Sequence, residues 1–145
     1  MNVMDMLIRD EGREHRAYPD PITHGAPWTI GVGHTGPEVH AGLTWTDVQI
    51  DANLHADVLN ATQACSNAFL WFDALDEARQ AVLVAMAFQM GIGGLLKFVN
   101  TLAAVGRGDY AAAADGMRAS VWARQTPLRA IRMAEQMQTG EFVET

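Results

Sequence analysis

The stretch EGREHRAYPDPITHGAPWTIGVGHTG, residues 11–36, interrupts a chain that otherwise reads as helix. Pro19, Pro21 and Pro27, with Gly25, Gly31, Gly33 and Gly36, put too many breakers in it for a helix. Within it, WTIGVGH (28–34) predicts a strand, aromatic and β-branched residues among glycines, and no other β-region in the chain is convincing. Upstream, Val3, Met6, Leu7 and Asp10 recur at helical spacing, so residues 2–10 predict a short amphipathic helix ending near Glu11 and Gly12. Glu11 then stands at a helix end.

Downstream of Leu43 the pattern turns helical. Thr44 or Thr46 is a plausible N-cap for a helix with Val48, Leu54, Val58 and Leu59 on its apolar face, running to about Ala64. A second helix begins near Asp73, carries Ala81, Val84, Ala85 and Phe88, and is stopped by GIGG (91–94); being apolar almost all round, it predicts a buried central helix. Shorter helices follow at about Leu95–Val105, at Asp109–Ala119 behind an Asp cap, and at Pro127–Met137 with Thr126 as cap and Gly140 beyond the end. The fold class is α+β, mostly α, with a small β-region inserted after one helix.

A chain of 145 residues has the size of one domain. Apolar residues at 49% exclude a disordered class, and no unbroken apolar run reaches the roughly 18 residues of a membrane span, so a soluble protein is expected. MNVMDMLIRDEG (1–12) lacks the basic start and unbroken apolar centre of a signal peptide. The single cysteine, Cys65, allows no internal disulfide; it reads as a buried helix-face residue in a reducing compartment. A net charge of −7 argues against a nucleic-acid binder. The charge is lopsided: His34 to Ala78 holds seven acids and no Lys or Arg, whereas Lys97 to Arg132 holds six bases against Asp109 and Asp115. A solvated acidic helix accounts for such asymmetry more often than an anionic partner does.

Eight residues separate Glu11 from Asp20, and eight more, PITHGAPW (21–28), separate Asp20 from Thr29. Hydrolysis of a glycosidic bond needs one carboxylic acid that still holds its proton and a second carboxylate that activates water or attacks the sugar. Glu11, leaving an apolar helix, and Asp20, in a solvated turn between two prolines, occupy contrasting surroundings of that kind, and Thr29 offers a hydroxyl to hold a water. Two acids and a threonine in a loop are equally the mark of a polar surface.

Resemblance along the chain lifts the first reading. MLIRDEG followed by AYPDP and WTIGVGHTG is similar to the N-terminal signature of the phage-type muramidases, glycoside hydrolase family 24. LTWTDVQIDANLHADV resembles their long connecting helix, AVLVAMAFQMG their buried helix, and VWARQTPLRAIRMAEQMQTGEF their C-terminal run, so the likeness covers about residues 1–143. The resemblance implies a lysozyme-like fold: a β-containing lobe (about 12–42) with the active site, a connecting helix (about 43–64), and a helical lobe made by residues 65–145 with helix 2–11. It implies Glu11 as general acid and Asp20, aided by Thr29, as the water-activating base, with inversion at the anomeric carbon; the loop PITHGAPW is longer than in many members.

Further roles follow from the same likeness. His34 lies beside the family's cleft, as a structural ion pair or a substrate contact. Gly33 leaves bare backbone for a sugar or makes a tight turn. Gln89 and Met90 match cleft-lining residues, with a core hydrogen bond as the alternative for Gln89, and Trp122 matches a tryptophan near the peptide-binding side or simply packs. Val121 stands where relatives often carry Arg, a gap that Arg129 and Arg132 partly fill. The implied substrate is the β-1,4 bond between N-acetylmuramic acid and N-acetylglucosamine in peptidoglycan. The implied setting is a monomer without metal, cofactor, nucleic-acid or stable membrane association, held in the host cytoplasm until a holin-type membrane protein releases it to the wall.

Three rivals carry their own marks. A zinc amidase would draw on His24, His34, His40, His55 and Cys65, whose spacings match no zinc motif. A lytic transglycosylase would cut the same bond with Glu11 alone, and a wall-binding or virion module would need neither acid. Many relatives are basic and this chain is acidic, so weak, salt-sensitive action on whole cells is expected; rates on purified walls followed across ionic strength should change, and indifference to salt overturns the expectation.

Overall fold

The computed structural model describes residues 1–144, and among them shows seven α-helices and one three-stranded antiparallel sheet. The α+β, mostly α, lysozyme-like class is borne out. Helix α1 (Val3–Glu11) buries Met6 and Leu7 and closes with the Gly12 N–H on Ile8 O at 2.9 Å. The sheet follows in the order β1 (Glu14–Tyr18), β2 (Thr29–Gly31), β3 (His34–Thr35). WTIGVGH is therefore not one strand, because the chain reverses at Val32 and Gly33 and Ile30 pairs back with His34. Alternation of side chains does not reveal a reversal inside an apolar run; the positive φ of Gly31 and Gly33 does.

The outer edge of β1 is covered by the segment after it. Ala17 N–H donates to Leu43 O at 2.9 Å and Trp45 N–H to His15 O at 2.7 Å, satisfying edge groups that would otherwise be open. Under the sheet, Ala17, Ile30 and Val39 are buried with Trp28, Leu43 and Trp45 packed on them.

Helix α2 (Asp47–Ala68) starts with a reciprocal cap that selects Thr46 over Thr44: Gln49 N–H donates to Thr46 Oγ1 (3.2 Å) and Thr46 N–H to Gln49 Oε1 (2.8 Å). That start sets the phase of the helix. Ile50, Leu54, Val58, Ala61 and Cys65 form the buried stripe, while Val48 and Leu59 are 78% and 61% exposed, contrary to the face expected for them. The helix also runs one turn past Ala64. Cys65 is buried as expected, its thiol near Leu83 O and pushed up to about 12 by burial, so no reactive thiolate forms near neutrality.

The remaining helices are α3 (Glu77–Leu95), α4 (Val99–Gly106), α5 (Tyr110–Arg118), α6 (Val121–Gln125) and α7 (Pro127–Thr139). Asp76, not Asp73, caps α3, accepting from Arg79 N–H at 3.0 Å; a 3₁₀ turn occupies Phe72–Ala74. Residues 81–87 are buried on every side, as the composition requires, but GIGG bends α3 instead of stopping it, with Gly91 at φ +74°. Asp109 caps α5 as expected. Helix α6, capped by Ser120, is too short to show periodicity, and Thr126 does not cap α7 because its hydroxyl donates to Trp122 O.

Two compact units result: Met4–Asn60, and Met1–Val3 together with the chain from Ala61. In the second, α7 packs on α5, α3 and α6. Arg79 ties that packing off. Its Nε donates to Met137 O (2.7 Å), Nη2 to Gln138 O (3.0 Å) and Nη1 to Asp76 Oδ1 (2.9 Å), and the guanidinium lies 3.5 Å from the Tyr110 ring centre. These bonds satisfy carbonyls at the end of α7 that no further helical turn can reach. Gly140 leaves room for the guanidinium, since a Cβ there would sit 2.8 Å from Nη1. Arg79→Ala is expected to lower stability by about 2–4 kcal/mol in urea unfolding, and Arg79→Lys to recover at most part of it.

Candidate active site

Glu11 is the last residue of α1 and half-buried. The turn between β2 and β3 comes up against it: at Gly33, with φ +61°, a Cβ would stand 3.0 Å from both Glu11 Cγ and Oε2. Glycine is needed there for two reasons, backbone conformation and the room that the Glu11 carboxyl occupies. The helix end and the hairpin turn thus fix the acid from two sides.

Tyr18 and Thr29 are paired across β1 and β2. Tyr18 is half-buried; burial first, then the charges of Glu11 and Glu14, raise its pKa above the ordinary 10, against a smaller opposing effect of Thr29. Glu11, Tyr18, Thr29 and Gly33 therefore form one cluster. Tyr18 is the residue that sequence reasoning missed. The signal was present in AYPDP, a tyrosine at a strand end, but only the register shows that it faces Thr29.

Asp20 belongs to the same unit, in the loop between β1 and β2. Its Oδ1 accepts from Ile22 N–H (2.8 Å) and Thr23 N–H (3.1 Å), and its backbone is held by Gly25 O and His24 N–H. Thr23 Oγ1 donates to Ala26 O at 2.7 Å. The long loop PITHGAPW is thus folded onto the carboxylate, which orients Asp20, while among the described residues nothing bonds to Oδ2.

His34 takes the ion-pair role. Nδ1 donates to Asp57 Oδ2 and Nε2 to Glu38 Oε1, each at 2.6 Å, and the ring packs 5.2 Å from Trp45. Asp57 first, then Glu38, raises its pKa to about 9 in spite of burial, so the imidazolium is held across neutral pH. Asp57 and Glu38 were not legible as its partners, Asp57 being 23 residues away.

Gln89, Met90 and Trp122 lie in the other unit. Trp122, 7% exposed, donates Nε1–H to Gln89 Oε1 at 3.0 Å and meets Phe98 edge-on, so Gln89 makes the core hydrogen bond that was its alternative reading. A groove of about 570 Å³ beside them is lined by Lys97, Phe98, Val121, Trp122 and Gln125. Arg129 and Arg132 are half-buried, and Met90 lies next to the kink at Gly91. Among the described residues, no three of His, Cys, Asp or Glu come together as a metal-ligand set.

The motifs around this cluster match a family as a whole: the phage lysozyme family covers residues 9–135. The chain belongs to the phage lysozyme family. It is similar to the pre-baseplate central spike protein Gp5 of Enterobacteria phage T4, at 32% identity over 98% of this chain but 28% of the spike protein. It is similar, at 29% identity over 96% of this chain and 95% of the relative, to the probable T4-type lysozyme 1 of Dictyostelium discoideum. An endolysin of Lactococcus phage c2 matches at 33% identity over 62% of this chain and 38% of its own length. The chain is thus less than a third of one relative and nearly the whole of another.

The ion pairs of His34 make the stability of this phage lysozyme family member pH-dependent. Its pKa is raised on folding, so its contribution is fully present below the unfolded value of about 6.5 and is lost as pH rises through about 9. Urea unfolding at pH 6 and pH 9.5 should show a loss of about 1–2 kcal/mol, reduced by solvent screening, and Asp57→Asn should remove most of that slope.

Proposed function

We propose that this lysozyme-type cell-wall hydrolase cleaves the β-1,4 bond between N-acetylmuramic acid and N-acetylglucosamine in peptidoglycan. The observation that carries the reading is the fixed carboxyl of Glu11, set at the end of α1 against Gly33 and beside the Tyr18–Thr29 pair, in the same unit as an oriented Asp20. Glu11 gives its proton to the leaving glycosidic oxygen as the bond to the anomeric carbon breaks. Asp20 Oδ2 takes a proton from a water held by Thr29, whose oxygen bonds to the anomeric carbon from the opposite face, which inverts it. No metal or cofactor enters these steps.

The likeness to an endolysin supports a role in host cell lysis. The proposal takes peptidoglycan strands as the partner, monomeric action, and release from the host cytoplasm to the wall by a holin-type membrane protein. Gly33, His34, Gln89, Met90 and Trp122 belong in this proposal to the substrate-facing surroundings, His34 and Gln89 through the partners they hold. The proposed lobes are a β-containing lobe with the active site, the connecting helix α2, and a helical lobe. The match to a spike protein favours one second reading: the same hydrolase as one segment of a virion protein.

Purified peptidoglycan incubated with the wild-type chain should release fragments with reducing muramic-acid ends, identified by mass spectrometry. Glu11→Gln should lower that release by about 10²–10⁴-fold. Anhydro-muramic ends would identify a lytic transglycosylase instead, and cleavage confined to the peptide would identify an amidase; unchanged release from Glu11→Gln would remove Glu11 from the chemistry.

A further inference from the structure

A carboxylate that takes a proton from water has to present one oxygen to it and hold that oxygen still, because the side-chain torsions otherwise swing it out of line. Asp20 is steadied by the loop that follows it. Its Oδ1 accepts the N–H groups of Ile22 at 2.8 Å and Thr23 at 3.1 Å, so the oxygen committed to the loop is Oδ1 and the one turned to reaction is Oδ2. Whatever fastens the loop therefore fastens the base.

Apolar packing contributes little to that fastening. Residues 21–24, 26 and 27 are exposed, Ile22 at 86%, and the fold of the segment rests on its hydrogen bonds. His24 works against it, since its φ of +59° is a conformation that residues with a side chain rarely adopt, at a cost comparable with what one exposed hydrogen bond contributes. More than one bond is needed to close such a loop.

Thr23 makes the closing set. Its hydroxyl donates its single hydrogen to Ala26 O at 2.7 Å and accepts the Gly25 N–H at 3.3 Å. Two backbone bonds tie the same residues back to the carboxylate's own backbone: Asp20 N–H donates to Gly25 O at 3.0 Å, and His24 N–H to Asp20 O at 2.8 Å. Thr23 thus grips the far side of the loop with its side chain and the Asp20 carboxylate with its backbone. We infer that Thr23 is a positioning residue, whose hydroxyl, tied to Ala26 and Gly25, fixes the backbone N–H that holds Asp20 Oδ1 and so aims Oδ2 at the attacking water. This rests on the reading of Asp20 as the base and deepens it. A loosened Asp20 costs turnover and leaves the binding of the sugar chain near its original strength, because the group that moves acts on the water.

Thr23→Val keeps the branched shape and removes the hydroxyl. On purified peptidoglycan its kcat should fall about tenfold with KM within about twofold and the urea midpoint near that of the wild type, whereas Thr23→Ser, which keeps the hydroxyl, should stay within about threefold of wild type. Amide exchange followed by NMR reads the fastening itself. In the wild type the Ile22 and Thr23 N–H groups should exchange roughly tenfold or more slower than in an unfolded peptide, and in Thr23→Val and Asp20→Ala at close to the unfolded rate. The inference is overturned by an unchanged kcat in Thr23→Val, by an equal loss in Thr23→Ser, by a loss confined to KM, by a collapse of the urea midpoint, which marks a folding role, or by amides that are unprotected in the wild type. Asp20→Ala, assayed alongside, separates the two levels. Full activity in that variant removes Asp20 as the base, whereas its inactivity beside a normal Thr23→Val removes only the role of Thr23.

Discussion

The contact between the Gly33 turn and the Glu11 side chain is the constraint around which the candidate site is arranged. A carboxyl at the end of a short helix has rotamer freedom and would ordinarily spend it in water. Here the backbone of a neighbouring turn fills the space beside it, which is feasible because position 33 has no side chain and tolerates φ +61°. The hairpin must therefore reverse at that point and no other. The short strands β2 and β3, the covering of the β1 edge by Leu43–Trp45, and the small core of Ala17, Ile30 and Val39 all serve to put that turn there.

Electrostatic ties hold the same unit as well. His34, next to Gly33, is clamped between Asp57 on α2 and Glu38, and Arg13 at the start of β1 reaches Asp51 and Asp47 in the first turns of α2. The acids between His34 and Ala78 that make the chain lopsided in charge are thus used in part as anchors for scarce cations. Of the seven, Glu38, Asp47, Asp51 and Asp57 each bond to His34, Arg13 or His15, and Asp76 caps α3. A purely solvated acidic face, the commoner explanation for such a run, accounts for only part of it.

Sequence reasoning placed Glu11 and Asp20 by local constraints, a glycine marking a helix end and two prolines marking a turn, while the likeness to the phage-type muramidases gave them their expected roles. Thr44 and Thr46 stayed open as caps, and the bonds between Thr46 and Gln49 decide between them. The reading went astray where a longer range was needed. Val48 and Leu59 are apolar and helical in spacing, yet the phase set by the Thr46 cap turns them to solvent and gives the buried stripe to Ile50, Ala61 and Cys65. Thr126 has the composition of a cap, but its hydroxyl is taken by the preceding short helix.

The amino-acid sequence by itself determined the order of elements, the buried character of α3, the family, and which carboxyls stand at structured positions, because periodicity, breakers and motifs are written in neighbouring residues. Only the tertiary structure decided what those residues touch. That Tyr18 faces Thr29, that His34 is saturated by Asp57 and Glu38, that Gln89 receives the Trp122 N–H, and that Gly33 makes room for an acid are matters of register and packing between segments far apart in the chain. Hydrogen bonds and close contacts act over a few ångströms in space, and distance along the chain does not reveal which side chains come within that range.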